Sequence, residues 1–144
     1  MTTLVRQMLA GKSAVHTVSP DDTVLDALRV MAEHNIGAVL VTTGGALVGI
    51  LSERDYARKM VLHGKASHDT VVGDVMTAAV VSVTPKWTCD ECMAIMTERH
   101  VRHLPVMDEE RLIGIISIGD VVRAVVQEQQ STISTLENFI MSGG

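Results

Sequence analysis

The sequence predicts a mixed α/β fold built from two pseudo-symmetric β-α-β-β-α units, and three observations carry that expectation. Residues 15–55 lie over 80–120 without a gap at a shift of 65 positions, with identities that include Val18/Val83, Pro20/Pro85, Thr23/Thr88, Met31/Met96, Gly49/Gly114, Ser52/Ser117 and Asp55/Asp120. Within each copy the apolar pattern alternates between short continuous runs and helical spacing, which is the signature of strands interleaved with helices. With 144 residues, 47% of them apolar and 20% charged, the chain can bury a core and fold. The period exceeds that of solenoid repeats, about 20–50 residues, so a paired duplication is expected rather than an array.

The elements follow in order. "AVHTVSP" is a short strand that proline stops. "DDTVLDALRVMAEHN" carries Asp and Thr start signals and places Val24, Leu28, Met31 and Ala32 at helical spacing. "GAVLV" is a buried strand, "TTGG" a hairpin turn and "ALVGIL" the returning strand. "SERDYARKMVLHG" starts a helix with Ser52 at its N-cap and ends near Gly64. The second copy repeats this from "VVSVTP" to a longer final helix, and "TLVRQML" and "TVVGDVM" are expected as short lead-in helices before each copy.

Charge and composition exclude several classes. A net charge of −5 leaves no basic footprint for a nucleic-acid backbone or a membrane surface. No N-terminal apolar segment resembles a signal peptide and no run approaches about 18 apolar residues, so membrane insertion is not expected. A reducing, cytoplasmic setting is expected from two cysteines only three apart. Tyr56, Trp87 and Phe139 are the only aromatics, so a planar ligand would lie between aliphatic side chains.

The repeated end of the second strand, "GILSERD" and "GIISIGD", carries the chemistry. Two readings stand side by side. Ser-x-x-acid before a helix is a capping box, although Asp is shorter than the Glu or Gln that usually reaches back. Alternatively, a carboxylate offers two acceptor oxygens to a ribose diol, while a Ser at a helix start sits beside unpaired N–H groups that welcome a phosphate. Both copies keep the outer residues while Glu53-Arg54 and Ile118-Gly119 differ completely.

The unit order, "TVSPDDTV", "RHLPV" and Gly-Ile-x-Ser-x-x-Asp twice resemble a tandem pair of cystathionine-β-synthase (CBS) domains, a Bateman module, over about residues 4–126. The resemblance implies a first motif over 4–66, a second over 67–126, packing through their sheets, and a helical extension over 127–144. It implies clefts between the motifs that hold an adenosine nucleotide (AMP, ADP or ATP, or a NAD-type ligand), and a homodimer. Carried over by position, one cleft would use Ser19, Gly37, Ala38, Ser52 and Asp55. The other would use Thr84, Ser117 and Asp120, with Arg102 and His103 as a phosphate-contacting pair. Arg54 would reach from one copy to the other's phosphates. Gly37-Ala38 stands where the second copy has Arg102-His103, and Gly119 replaces Arg54, so the two clefts are expected to differ.

Other features compete for attention. Cys89-x-x-Cys92 with His100 and His103 superficially supplies a zinc set. The repeat aligns both cysteines with Val24 and Ala27, which makes them small core residues. The nine methionines sit at helix-core spacing, and His16, His34, His63 and His68 have no shared partner in the sequence. Ile133, Leu136 and Ile140 line one face of the C-terminal segment, which suits a partner helix in a dimer. No nucleophile elbow, phosphate loop or dinucleotide fingerprint is present, so no enzyme activity is expected. The leading expectation is a nucleotide-binding regulatory module with a regulated protein partner; the alternatives are an interaction module without ligand and a small zinc or thiol protein.

Overall fold

In the computed structural model, which describes residues 2–12 and 14–142, the first copy contributes β1 (Thr17–Val18), α2 (Val24–His34), β2 (Ala38–Thr43), β3 (Ala46–Ser52) and α3 (Glu53–Asp55). A helix α1 (Val5–Leu9) precedes it. The second copy contributes α4 (Cys89–Arg99), β4 (His103–Asp108), β5 (Arg111–Ser117) and α5 (Ile118–Met141). The first sheet has order β1-β2-β3, with β1 parallel and β3 antiparallel to β2; the second consists of β4 and β5.

Local chemistry explains these boundaries. Thr23 and Thr88 cap α2 and α4 by accepting from the N–H of Asp26 and Glu91, both at 3.1 Å, and each acid reaches back to the cap's own N–H. Both helices end on a left-handed residue, Asn35 and His100. β2 and β3 are joined through Gly44 and Gly45, whose φ values of 57° and 84° suit the mirror-image turn of a two-residue hairpin. The second copy places Glu109 at φ 58° in the equivalent turn, a conformation that costs a side-chain-bearing residue on the order of 1 kcal/mol.

The compact units do not follow the boundaries of the copies. One unit comprises residues 14–81 with 110–112, and the other 2–12, 82–109 and 113–142. The segment before each copy is therefore donated to the other copy's unit. Val5 N–H bonds the Trp87 carbonyl (2.8 Å) and Cys89 N–H bonds Thr3 (2.9 Å), while Val72 N–H bonds Asp22 (2.8 Å) and Val24 N–H bonds Thr70 (2.8 Å).

In the first-copy unit, Val24, Ala27 and Met31 of α2 pack with Val39, Val41, Leu51, Met60 and Val72. The four buried residues that open β2 are the continuous apolar run of a strand covered on both faces. In the second-copy unit Cys89, Cys92 and Met96 occupy the spacing of Val24, Ala27 and Met31, and are buried with Leu104, Val106, Ile116 and Val121. The cysteines are core residues.

Four expectations need correction. The helix after Ser52 keeps α-winding only over Glu53–Asp55 and continues as a π-helix over Tyr56–Val61, where Leu62 N–H reaches the Ala57 carbonyl five residues back (3.4 Å). "VVSVTP" forms no strand, only a bridge from Val83 to Val106, because its backbone meets β4 at one position. The second lead-in segment makes a short 3₁₀ turn, Val72–Asp74, rather than an α-helix. His16 and His34 do share a partner, each other, with stacked rings 3.5 Å apart.

Candidate functional site

Each Ser-x-x-Asp motif stands where a buried strand passes into a helix. Ser52 Oγ accepts from Asp55 N–H (3.0 Å), and Asp55 Oδ2 accepts from Ser52 N–H (3.1 Å). Ser117 and Asp120 repeat this at 3.2 and 2.8 Å. The short Asp side chain does close the reciprocal cap, contrary to the reach expected from its length. Both the strand end and the helix start hold the backbone, so the reciprocal caps fix the direction of each carboxylate.

The approach to each corner is also repeated. Glu53 N–H bonds the Gly37 carbonyl (3.0 Å) and Ile118 N–H bonds the Arg102 carbonyl (2.8 Å). A Cβ on Gly49 would lie 2.5 Å from Met76 Sδ and 3.1 Å from the Thr77 carbonyl, and one on Gly114 would lie 2.6 Å from Leu9 Cδ2. The paired glycines therefore make room for the donated segments.

The first-copy unit holds Ser19, Gly37, Ala38, Ser52, Arg54 and Asp55. Ala38 is the register partner of Ser52, which brings the start of β2 beside the motif. Ser19 follows β1 and is held by its own turn, its N–H donating to Asp22 Oδ2 (2.9 Å). Lys59 lies 3.5 Å from Asp55 Oδ1 and also donates to the Val75 carbonyl (2.9 Å) and Thr77 Oγ1 (3.3 Å). The π-helix places Lys59 there, and π-turns inside helices frequently accompany functional positions.

The second-copy unit holds Thr84, Arg102, His103, Ser117 and Asp120. Here the electrostatics are stronger. Lys12 Nζ donates to Asp120 Oδ2 (2.5 Å) and to the Ile115 carbonyl (2.9 Å), and Arg123 Nη2 donates to Asp120 Oδ1 (2.7 Å). Burial pushes the Asp120 carboxyl up, but the Lys12 hydrogen bond and the Ser117 N–H outweigh it and hold the group below its ordinary value. Burial, and then the Lys12 charge, push His103 below 6.5, with Asp120 opposing.

A cavity of about 440 Å³ opens beside Asp120, lined by Gln7, Gly11, Lys12, Arg123 and Gln127 among others. That size lies within the usual range for small-molecule sites, roughly 300–1,000 Å³. Of the sequence-derived residues only Asp120 lines it; Ser117 touches it through Asp120, while Thr84, Arg102 and His103 do not form its wall. Lys12 and Arg123 were missed by sequence reasoning. Arg123 is an (i, i+3) neighbour of Asp120 and was legible; Lys12 arrives by segment exchange and was not.

Among the described residues, the group able to converge on a metal is Cys89, Asp90 and Glu128, with ligand atoms within 4.8 Å of one another. It contains neither histidine of the zinc set suggested by the sequence. Glu128 accepts from Thr3 N–H and from the Cys89 thiol. Burial, followed by that hydrogen bond and the Glu128 charge, pushes the Cys89 thiol up to about 11; burial does the same to Cys92.

Duplicated sheet–helix units with a capped carboxylate at each strand-to-helix corner define a tandem α/β module. The CBS domain family model matches residues 6–62 and 72–127, and the chain belongs to that family. The mitochondrial CBS domain-containing protein CBSX3 of Arabidopsis thaliana is 44% identical over 92% of this chain and 68% of its own length. A solved protein with CBS domains from Burkholderia ambifaria MC40-6 superposes with a TM-score of 0.84 at 50% identity, covering 88% of this chain and 96% of that one. The CBS domain pair of protein MJ0100, solved with 5′-methylthioadenosine and S-adenosyl-L-methionine, shares the fold at a TM-score of 0.78 and 23% identity, covering 89% and 99%. Among the described residues no helix is long and apolar enough to cross a membrane.

Proposed function

We propose that this chain is a non-catalytic regulatory module whose Ser-x-x-Asp corners bind an adenosine nucleotide: AMP, ADP, ATP or a NAD-type ligand. The observation that carries the reading is Asp120, a carboxylate oriented by its own helix cap and flanked by two cations at the wall of a 440 Å³ cavity. A ribose diol takes the carboxylate oxygens, and Lys12 and Arg123 then turn to the phosphates. Asp55, with Lys59 as its cation, serves the weaker corner. Ser19, Gly37, Ala38 and Arg54 on one side, and Thr84, Arg102, His103 and Ser117 on the other, complete the two sets. Binding biases one arrangement of the chain over another and is felt by a protein partner only to the extent that the nucleotide prefers that arrangement. A cytoplasmic setting belongs to the same reading and agrees with two free thiols. The MJ0100 pair, with its adenosine-containing ligands, supports the ligand class.

A thermal-shift screen with AMP, ADP, ATP, NAD and S-adenosylmethionine tests the proposal. Stabilisation should grow logarithmically with ligand concentration above Kd. Melting curves unmoved by every adenosine ligand would leave a module that acts by contact alone.

A further inference from the structure

One cluster away from the Ser-x-x-Asp corners has a composition that the fold does not require. Cys89 and Asp90 open α4 and Glu128 reaches them from α5, with one ligand atom of each lying within 4.8 Å of the others. The first copy has Val24 and Leu25 where the second has Cys89 and Asp90, and it builds its core on Val24 without a polar group at that place. Packing alone therefore does not call for a thiol here. Three details suit the cluster to a cation. Cys89 is buried, while Asp90 is exposed and gives an entry from solvent. The Cys89 thiol donates to Glu128, so sulfur and oxygen already face each other across the two helices. Glu128 Oε1 accepts from Thr3 N–H, which directs the carboxylate and leaves Oε2 for an ion.

We infer that Cys89, Asp90 and Glu128 form a binding site for a thiophilic divalent cation of the zinc class. A tetrahedral zinc ion, with bonds of about 2.3 Å to sulfur and about 2.1 Å to oxygen, holds its ligand atoms about 3.5 Å apart. Rotation of the exposed Asp90 side chain supplies the remaining approach. The ion takes the place of the thiol proton: the S–H bond breaks, the Cys89 sulfur keeps the electron pair and binds the ion, and the proton leaves to solvent. No atom is oxidised or reduced. A thiolate selects against Mg²⁺ and Ca²⁺, which take oxygen ligands, and two carboxylates select against Cu⁺. Water completes the fourth position. The bound ion ties the first turn of α4 to α5 beside Thr3 of the donated segment. None of the three residues lines the cavity beside Asp120, so the inference is independent of nucleotide binding.

Titration of the full chain with Cd²⁺ and Zn²⁺, after reduction and stripping with EDTA and without nucleotide, tests the site. The wild-type chain should bind one ion and show the ultraviolet charge-transfer band of a cadmium–thiolate bond. Cys89→Val installs the first copy's residue; it should fold, lose the band and bind at least tenfold more weakly. Cys92→Ala installs the first copy's residue one turn further on and should keep both band and affinity. Glu128→Gln should weaken binding at least tenfold. Excess Zn²⁺ should raise the Tm of the wild-type chain and leave that of Cys89→Val unchanged. The inference fails if the wild-type chain shows no thiolate band. It fails equally if Cys89→Val or Glu128→Gln binds as tightly as wild type, which would leave only adventitious carboxylate sites, or if the band follows Cys92 instead of Cys89.

Discussion

Replacing Asp120 separates what it does for the fold from what it does for a ligand. In Asp120→Ala the half-buried Ser117 N–H loses its acceptor, a loss of about 1 kcal/mol. The same change removes two ion pairs whose cations are 33% and 70% exposed; after screening by solvent these are worth about 0.2–1 kcal/mol each. The sum, roughly 1.4–3 kcal/mol, should lower Tm by about 4–9 °C in a chain of this size. Asp120→Asn keeps an acceptor for Ser117 and should lose only the two ion pairs, about 0.4–2 kcal/mol. A ribose diol, however, needs both oxygens of the carboxylate as charge-assisted acceptors, worth about 1.5–3 kcal/mol. Asn therefore costs the nucleotide about 10- to 150-fold in Kd while the fold is nearly intact. Titration calorimetry with AMP, ADP and ATP beside scanning calorimetry reads both effects. Unchanged affinity in Asp120→Asn, at unchanged stoichiometry, would reduce Asp120 to a helix cap and refute the reasoning.

The remaining predictions concern pH, packing, thiols and a turn. His103 is held below 6.5 in the folded chain, so the unfolded state binds its proton first, and stability is complete above pH 6.5 and falls as pH drops below it; chemical denaturation from pH 7.5 to 5 should show this slope, and His103→Gln should flatten it. Gly49→Ala should destabilise by about 1–3 kcal/mol, and by more than Gly114→Ala, because the first meets a backbone carbonyl and the second only the tip of Leu9; urea midpoints compare them. With thiols raised to about 11, Cys89 and Cys92 should resist a disulfide reagent at pH 7.5 in the native protein and react in denaturant. Glu109→Gly should raise stability by about 1 kcal/mol by relieving its positive φ, measured as a higher Tm.

What was legible in the sequence was what the repeat makes local. Thr23 and Thr88 as caps, Gly44-Gly45 as a turn and the core positions of Cys89 and Cys92 depend on neighbours within a few residues or on the aligned copy. The winding of Tyr56–Val61 was not legible, since the apolar spacing of Tyr56 and Met60 suits an α-helix and a π-helix alike. The loss of the strand at 80–85 was hidden for a similar reason: its side chains match those of the first copy, but strand formation depends on how many backbone groups reach β4. Lys12 was hidden most deeply. It stands 108 residues from Asp120, and only the exchange of the leading segment brings them together.

That exchange also explains why two nearly identical motifs acquire different electrostatics. Lys12 and Thr77 are 65 positions apart, the period of the repeat, so they occupy equivalent places in the two donated segments. Thr77 N–H bonds the Ile50 carbonyl, and Thr77 Oγ1 accepts from Lys59, so the first corner receives its cation from the helix that follows the motif. Lys12 bonds Asp120 and the Ile115 carbonyl itself, so the second corner receives a cation from the donated segment, and Arg123 adds another. On the proposed reading the cap and the ligand site are the same object at different stages. The cap aims the carboxylate, and the borrowed cations set what it can release. Lys12→Thr would give Asp120 the first corner's donated residue. If the charge difference separates the corners, that single change should bring the second corner's affinity for a polyphosphate down toward the first, and a titration in which the two corners stay apart would place the difference elsewhere.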